Sequence, residues 1–400
     1  MPENAPLHSA ASPRRGPLAG LKVIEFGGIG PAPYGAMLLA DLGADVLRID
    51  RIADSGLGLN KPARFDLLAR SRASLKVDLK HKDGLALVRD LIGAADALIE
   101  GFRPGTMERL GLGPDEVLAL RPALVYGRVT GFGREGPLAM SAGHDLNFIA
   151  LTGALDATGR AGAPPTPPLN LVGDFGGGGL LLAFGMACAL YEARASGRGQ
   201  VVDAAMIDGA ASLMTSFFGL AAAGLHGPER GTNLLDSGAP HYDVYRCADG
   251  GYVAVAPIEA KFRALMLATL GLPAEAADGF EDPAAWPRLR AMLAARFATR
   301  PRDAWAALFE GSDACVTPVL ALGEAAEHPH HRARGTFVRV DGIAQPAPAP
   351  RFSRTPADPP TPPRPPGAVD AATLARWGLD AARLAGLVRS GALGAPGPAP

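Results

Sequence analysis

From residue 21 onward the chain alternates short apolar runs with stretches of helical periodicity, and glycine punctuates the joins. Residues 21–26 are apolar and end at Gly27-Gly28-Ile29-Gly30; 37–42 reads as helix and 45–49 as the next strand. Strand patterns recur at 73–79, 97–100, 124–129 and 201–205, with helical patterns at 84–92, 106–110 and 180–195 between them. This alternation predicts an α/β fold with a parallel sheet and gathers ligands at the carboxyl ends of its strands. Beyond residue 206 the alternation weakens. Residues 207–223 read as one long alanine-rich helix, 232–242 as loop, and 252–256 and 315–320 as strands in a mostly helical region. Residues 346–366 are so rich in proline that an extended linker is expected, with helical periodicity returning at 371–387.

Composition narrows the partners. With 400 residues, 48% of them hydrophobic, the chain holds enough apolar surface for more than one core. A formal net charge of −1 supplies no global field for nucleic acid or an anionic membrane, so a small molecule is the expected partner. No stretch reads as about eighteen apolar residues free of charge and glycine breaks; residues 180–190 are taken as a buried helix, and no membrane partner is expected. Cys188, Cys247 and Cys315 are scattered and odd in number, which argues against a disulfide framework and a metal site, and favours a reducing cytoplasm.

The glycine turn after residue 26 invites a dinucleotide-binding reading, with Asp50 as the ribose-binding acid. The fingerprint breaks at Pro33, and Pro31 removes another amide where a pyrophosphate needs donors. The chemistry concentrates instead in residues 143–179, which carry His144, Asp145, Asn170 and Asp174 and then the glycines Gly176, Gly177, Gly178 and Gly179. An imidazole and a carboxylate on glycine-rich backbone suggest proton transfer. Such a glycine run is expected where a bulky ligand approaches the backbone closely. Each residue also has an ordinary role: His144 as a structural hydrogen-bonding group, Asp174 as a cap, Glu259 as an exposed turn residue, the arginines as surface charge. Arg51 and Arg103 fall at predicted strand ends, where phosphates bind. Met206, Met214, Phe217 and Phe218 are expected to be core before they are an acyl surface.

Longer stretches add a resemblance. Residues 17–26 (PLAGLKVIEF), 41–51 (DLGADVLRIDR), 102–105 (FRPG), 108–113 (ERLGLG) and 199–206 (GQVVDAAM) are similar to the family III CoA-transferases. Gly143-His144-Asp145, residues 170–178 (NLVGDFGGG) and residues 256–259 (APIE) narrow the likeness to the α-methylacyl-CoA racemase branch, over residues 17–355. The resemblance implies a large Rossmann-like CoA-binding domain built from both chain ends, a smaller α+β middle domain and an interlocked homodimer. Expected boundaries are a disordered leader at 1–16, the large domain at 17–205, a linking helix and loop at 206–235 and the small domain at 236–325. Residues 326–400 are expected to return to the large domain and end in a proline-rich tail. It also implies that His144, Asp174, Asn170 and Glu259 surround the reacting carbon, with Glu259 pairing with His144. Arg51, Arg72, Lys80, Arg103 and Arg109 match positions in or near the CoA site, and the Asp145 backbone amide is an expected enolate donor. The activity implied is inversion of the α-carbon of a 2-methylacyl-CoA by two bases, with no cofactor beyond the CoA of the substrate. The alternative is CoA transfer between acids with Asp174 as nucleophile.

Overall fold

The computed structural model describes residues 14–53 and 56–395; most of the expected leader and the end of the tail lie outside them. The chain divides into two compact units. One takes the residues up to Ile149, Asn170–Leu213 and the stretch from His331 onward, and the other takes Ala150–Leu169 and Met214–His330.

The first unit is built on six parallel strands: β1 Lys22–Phe26, β2 Asp45–Asp50, β3 Ala73–Lys76, β4 Ala97–Glu100, β5 Val125–Thr130 and β6 Val201–Ala205. Their order is β3-β2-β1-β4-β5-β6. The direction of winding reverses between β1 and β4, which opens a crevice at the strand carboxyl ends. Alternate strand residues feed two cores. Ile24, Phe26, Leu47 and Leu98 pack with Leu87, Val88, Leu91 and Ile92 of the Lys82–Gly93 helix. Val23, Val46, Ala97 and Val125 face the opposite core with Leu39 and Met186, from the helices Pro31–Asp41 and Leu181–Ser196. The period of two along each strand sends neighbouring side chains to opposite faces.

The C-terminal end returns to this unit with the helices Ala371–Arg376 and Ala381–Arg389. Trp377, Leu379 and Leu384 close the first core, and Val77 bridges Leu393. A hairpin of β10 Phe337–Val340 and β11 Ile343–Pro346, unforeseen in the sequence, is tied in by Arg70. That side chain pairs with Asp41, and its Nη1 donates to Gln345 Oε1 at 3.0 Å and to the Pro346 carbonyl at 2.8 Å.

Two expectations change. The helix expected at 37–42 begins at Pro31, because proline suits a first helical turn whose amides have no partner. Helix also runs unbroken over Leu171–Ser196, with its first ten residues in π form, so its 26 residues are long and apolar enough to cross a bilayer by length and composition. The glycines read as a break in the sequence lie inside it. In this unit Leu182, Met186, Leu190 and Ala193 pack it against the sheet.

The second unit sets a three-stranded antiparallel sheet, β7 Asp243–Arg246, β8 Tyr252–Val255 and β9 Val316–Pro318, among helices. The helix expected over 207–223 is two, Met206–Leu213 and Thr215–Ala222, and the units divide between them. Phe280, Leu289, Phe297 and Trp305 form the centre of this core.

His241 is buried there at 2% exposure, its ring edge-on to Phe280 and Trp286 with centroids 5.2 and 6.5 Å away. Burial, reinforced by the Arg263 charge and opposed by Glu281, pushes its pKa from 6.5 down to about 4. The unfolded chain therefore binds more protons than the folded one between those values, and stability falls as pH drops from 6.5 toward 4. Urea unfolding across that window should show a steeper loss for the wild type than for His241→Gln; equal slopes would remove His241 as the cause.

Candidate active site

Three segments meet beyond the carboxyl end of β1. The first is the glycine turn, where Gly30 adopts φ 68 and ψ −120, a conformation open to glycine alone. The second is the short helix Asp145–Ala150. Gly131 and Gly143 leave room for its Phe148 ring, which meets Phe132 edge-on at 4.9 Å. The third is the π-helix Leu171–Leu180. Its wide turns are held by close approach rather than by side chains. A Cβ on Gly178 would come within 2.8 Å of Pro31 Cβ, one on Gly179 within 2.6 Å of the Pro31 carbonyl, and one on Gly177 within 2.6 Å of the Ala210 nitrogen. In the sequence these glycines are expected to make room for a ligand. The structure gives Gly177, Gly178 and Gly179, all buried, to packing against the helices Pro31–Asp41 and Met206–Leu213.

The chemistry-bearing groups come together on this scaffold. Asp174 is half-buried and faces Gly30 so closely that a Cβ there would lie 3.1 Å from its Oδ2. Asn170, exposed just before the π-helix, donates from Nδ2 to the same oxygen at 3.0 Å. His144 is exposed at the start of the Asp145–Ala150 helix. Its backbone N–H donates to Asn147 Oδ1 at 3.0 Å, and its carbonyl accepts from the Asn147 amide at 2.8 Å, which fixes the turn carrying the imidazole. Asp145 is buried, and its Oδ2 accepts the Asp174 backbone N–H at 2.6 Å. Burial raises the pKa of Asp174; its hydrogen bond from Asn170 opposes the rise, the Asp145 charge adds to it, and the nearby His144 opposes it. The result is an acid whose proton is held to higher pH, beside an open imidazole.

The cationic positions separate into two kinds. Arg51, exposed after β2, places its guanidinium 6.0 Å from the Phe102 ring centroid in the turn after β4. Arg103 is exposed in the same turn, Arg109 follows with Nη2 donating to Thr106 Oγ1 at 3.0 Å, and Lys80 is exposed beyond β3. Glu100, buried at the end of β4, sets this turn by accepting the Phe102 N–H at 2.7 Å while Arg128 donates from Nε to its other oxygen at 2.7 Å. Arg72 departs from expectation. Its side chain is 1% exposed and paired with the buried Glu25, so it balances an interior charge and is not presented at the surface. Glu259 belongs to the second unit, where it is exposed and precedes the helix Ala260–Leu270 without a side-chain capping bond. Of the apolar residues expected to be core, Met206 is buried, whereas Phe218 is 63% exposed. Among the described residues no group of three His, Cys, Asp or Glu side chains stands where a metal ion would be held.

The family model for CoA-transferase family III matches residues 18–370. This chain belongs to that family. It is 44% identical to the α-methylacyl-CoA racemase of Mus musculus, over 86% of this chain and 88% of the mouse protein. The human α-methylacyl-CoA racemase is 41% identical over the same shares. A solved CaiB/BaiF family protein from Brucella suis superposes with a TM-score of 0.75 at 26% identity, covering 88% of this chain and 97% of that one. The structure brings His144, Asn170 and Asp174, all expected from the sequence, into one place, on a seat the sequence does not show. Gly30 was visible only as part of a failed dinucleotide fingerprint, and the buried Asp145 carboxylate gave no signal, since burial is not legible in a Gly-His-Asp triplet.

Replacing Gly30 with Ala should lower stability by about 1–3 kcal/mol from its backbone conformation alone and should reduce turnover by displacing Asp174. Gly28→Ala is the comparison, at a position whose nearest new contact would be 4.0 Å away. Equal unfolding midpoints and equal rates for the two variants would show that Gly30 does not shape the site.

Proposed function

We propose that this chain is an isomerase of the α-methylacyl-CoA racemase type, inverting the α-carbon of 2-methylacyl-CoA thioesters. The observation that carries the reading is one site holding the exposed imidazole of His144 and the half-buried carboxyl of Asp174, whose pKa burial raises. Inversion needs a proton removed from one face of a planar enolate and another returned to the opposite face, so one group must be basic while the other holds a proton. Neutral His144 with protonated Asp174 serves one enantiomer, and the reverse assignment serves the other. Asn170, donating to Asp174, steers the carboxyl. The backbone amide of Asp145, in a first helical turn without an intrahelical partner, is a donor for the enolate oxygen. The exposed cations Arg51, Arg103, Arg109 and Lys80 are offered to the CoA phosphates.

The reading includes a homodimer in which Glu259 of the partner subunit orients His144, so that the imidazole presents one nitrogen to the substrate. CoA transfer through Asp174 as nucleophile is the second reading. An acyl anhydride mechanism assigns no task to a second base beside the aspartate, and the presence of His144 weighs against it.

Incubating either enantiomer of a 2-methylacyl-CoA in deuterium oxide should place label at the α-carbon with CoA retained. CoA exchange into a free acid without label would overturn the racemase reading in favour of transfer. His144→Ala should cut α-proton exchange by about 10²- to 10⁴-fold while thioester affinity holds. Glu259→Gln should lower kcat with little change in KM; an unchanged kcat would remove Glu259 from the reaction.

A further inference from the structure

We propose that the Asp145 carboxylate is a positioning residue for Asp174, holding its backbone in place and keeping a second negative charge off its side chain. The inference rests on the racemase reading, in which Asp174 must carry a proton for half of each catalytic cycle. Three observations converge on it. Asp145 Oδ2 accepts the Asp174 N–H at 2.6 Å, satisfying an amide in the first turn of the π-helix, where the helix supplies no acceptor. Asp145 is 5% exposed, and its Oδ1 is buried with no hydrogen-bond partner among the described residues. A Cβ on Gly173 would lie 2.7 Å from Oδ2, so the chain presses its backbone against this carboxylate.

A carboxylate held this way is half-satisfied. A structural cap is normally left with its second oxygen in water or in a further hydrogen bond. Here the charge has little outlet, and Asp174 lies within its reach. The other groups facing Asp174 are few. Asn170 donates a neutral hydrogen bond from before the π-helix, and His144 comes from the start of the Asp145–Ala150 helix. The Pro31–Asp41 helix brings no acidic residue in its first turn. Asp145 is thus the one anion that acts on Asp174 among the groups that shift it. A negative charge so placed favours the protonated form of Asp174 over its carboxylate.

The test separates charge from geometry. Asp145→Asn keeps an oxygen that accepts the Asp174 N–H but removes the charge; Asp145→Ala removes both. For α-proton exchange by the intact protein, Asp145→Asn should move the limb of the kcat/KM profile belonging to Asp174 to lower pH, with kcat kept within about tenfold. Asp145→Ala should lose a further ten- to hundredfold in kcat, the scale of a misplaced catalytic group. An unshifted profile in Asp145→Asn overturns the charge role, and equal kcat in the two variants overturns the positioning role. A second readout needs no turnover. Asp174→Asn should raise the urea midpoint at pH 7 in the wild-type background and raise it less in the Asp145→Asn background. Equal increments would refute coupling between the carboxylates. Absence of α-proton exchange in the wild type would sink the racemase reading alone, leaving this cycle to decide the coupling.

Discussion

A carboxyl group sits close against the turn after β1 because Gly30 carries nothing but hydrogen on its α-carbon. With an Asp174 oxygen 3.1 Å from where a Cβ would stand, even a methyl group there would crowd the acid. The same economy of atoms repeats along the π-helix, whose buried glycines let its backbone touch Pro31 and Ala210. Close approach of backbone to backbone therefore brings the acid to the sheet, and the sheet's topology supplies the crevice it faces. The packing that defines the site is made of absent side chains.

Electrostatics in this unit divide along the same line between interior and surface. Arg72 with Glu25, and Arg128 with Glu100, put charges inside that are expensive to bury unless paired, and each is paired. The second pair also works on backbone: Glu100, held by Arg128, fixes the turn that carries Arg103. Asp145 and Asp174 form the opposite case, two acids of like sign brought together with no arginine between them, and that arrangement raises the proton affinity of Asp174 beyond what burial does. Asp174, with its proton affinity raised by burial and by a neighbouring acid, is where the proposed proton transfer is placed.

Much of this was legible in the residue pattern. Short apolar runs alternating with helical stretches, with glycine at the joins, specify a parallel sheet, because both of its faces must be covered by helices. His144 and Asp174 stood out because an imidazole and a carboxylate on glycine-rich backbone suggest proton transfer. The hairpin of β10 and β11 was hidden by prolines, which mask a strand edge, and the split of the 207–223 helix at Met214 carried no glycine or proline to announce it.

Local sequence determined the sheet, most of its helices and the candidacy of Asp174 and His144, since periodicity and residue chemistry act over a few neighbours. It could not determine that Arg72 would turn inward to Glu25, that Gly177 to Gly179 would serve helix contacts, or that Asp145 would lie buried against Asp174. Those outcomes depend on which surfaces meet across segments far apart in the chain. Burial and pairing are properties of that meeting, so tertiary structure alone decided which charges serve the interior and which remain for chemistry.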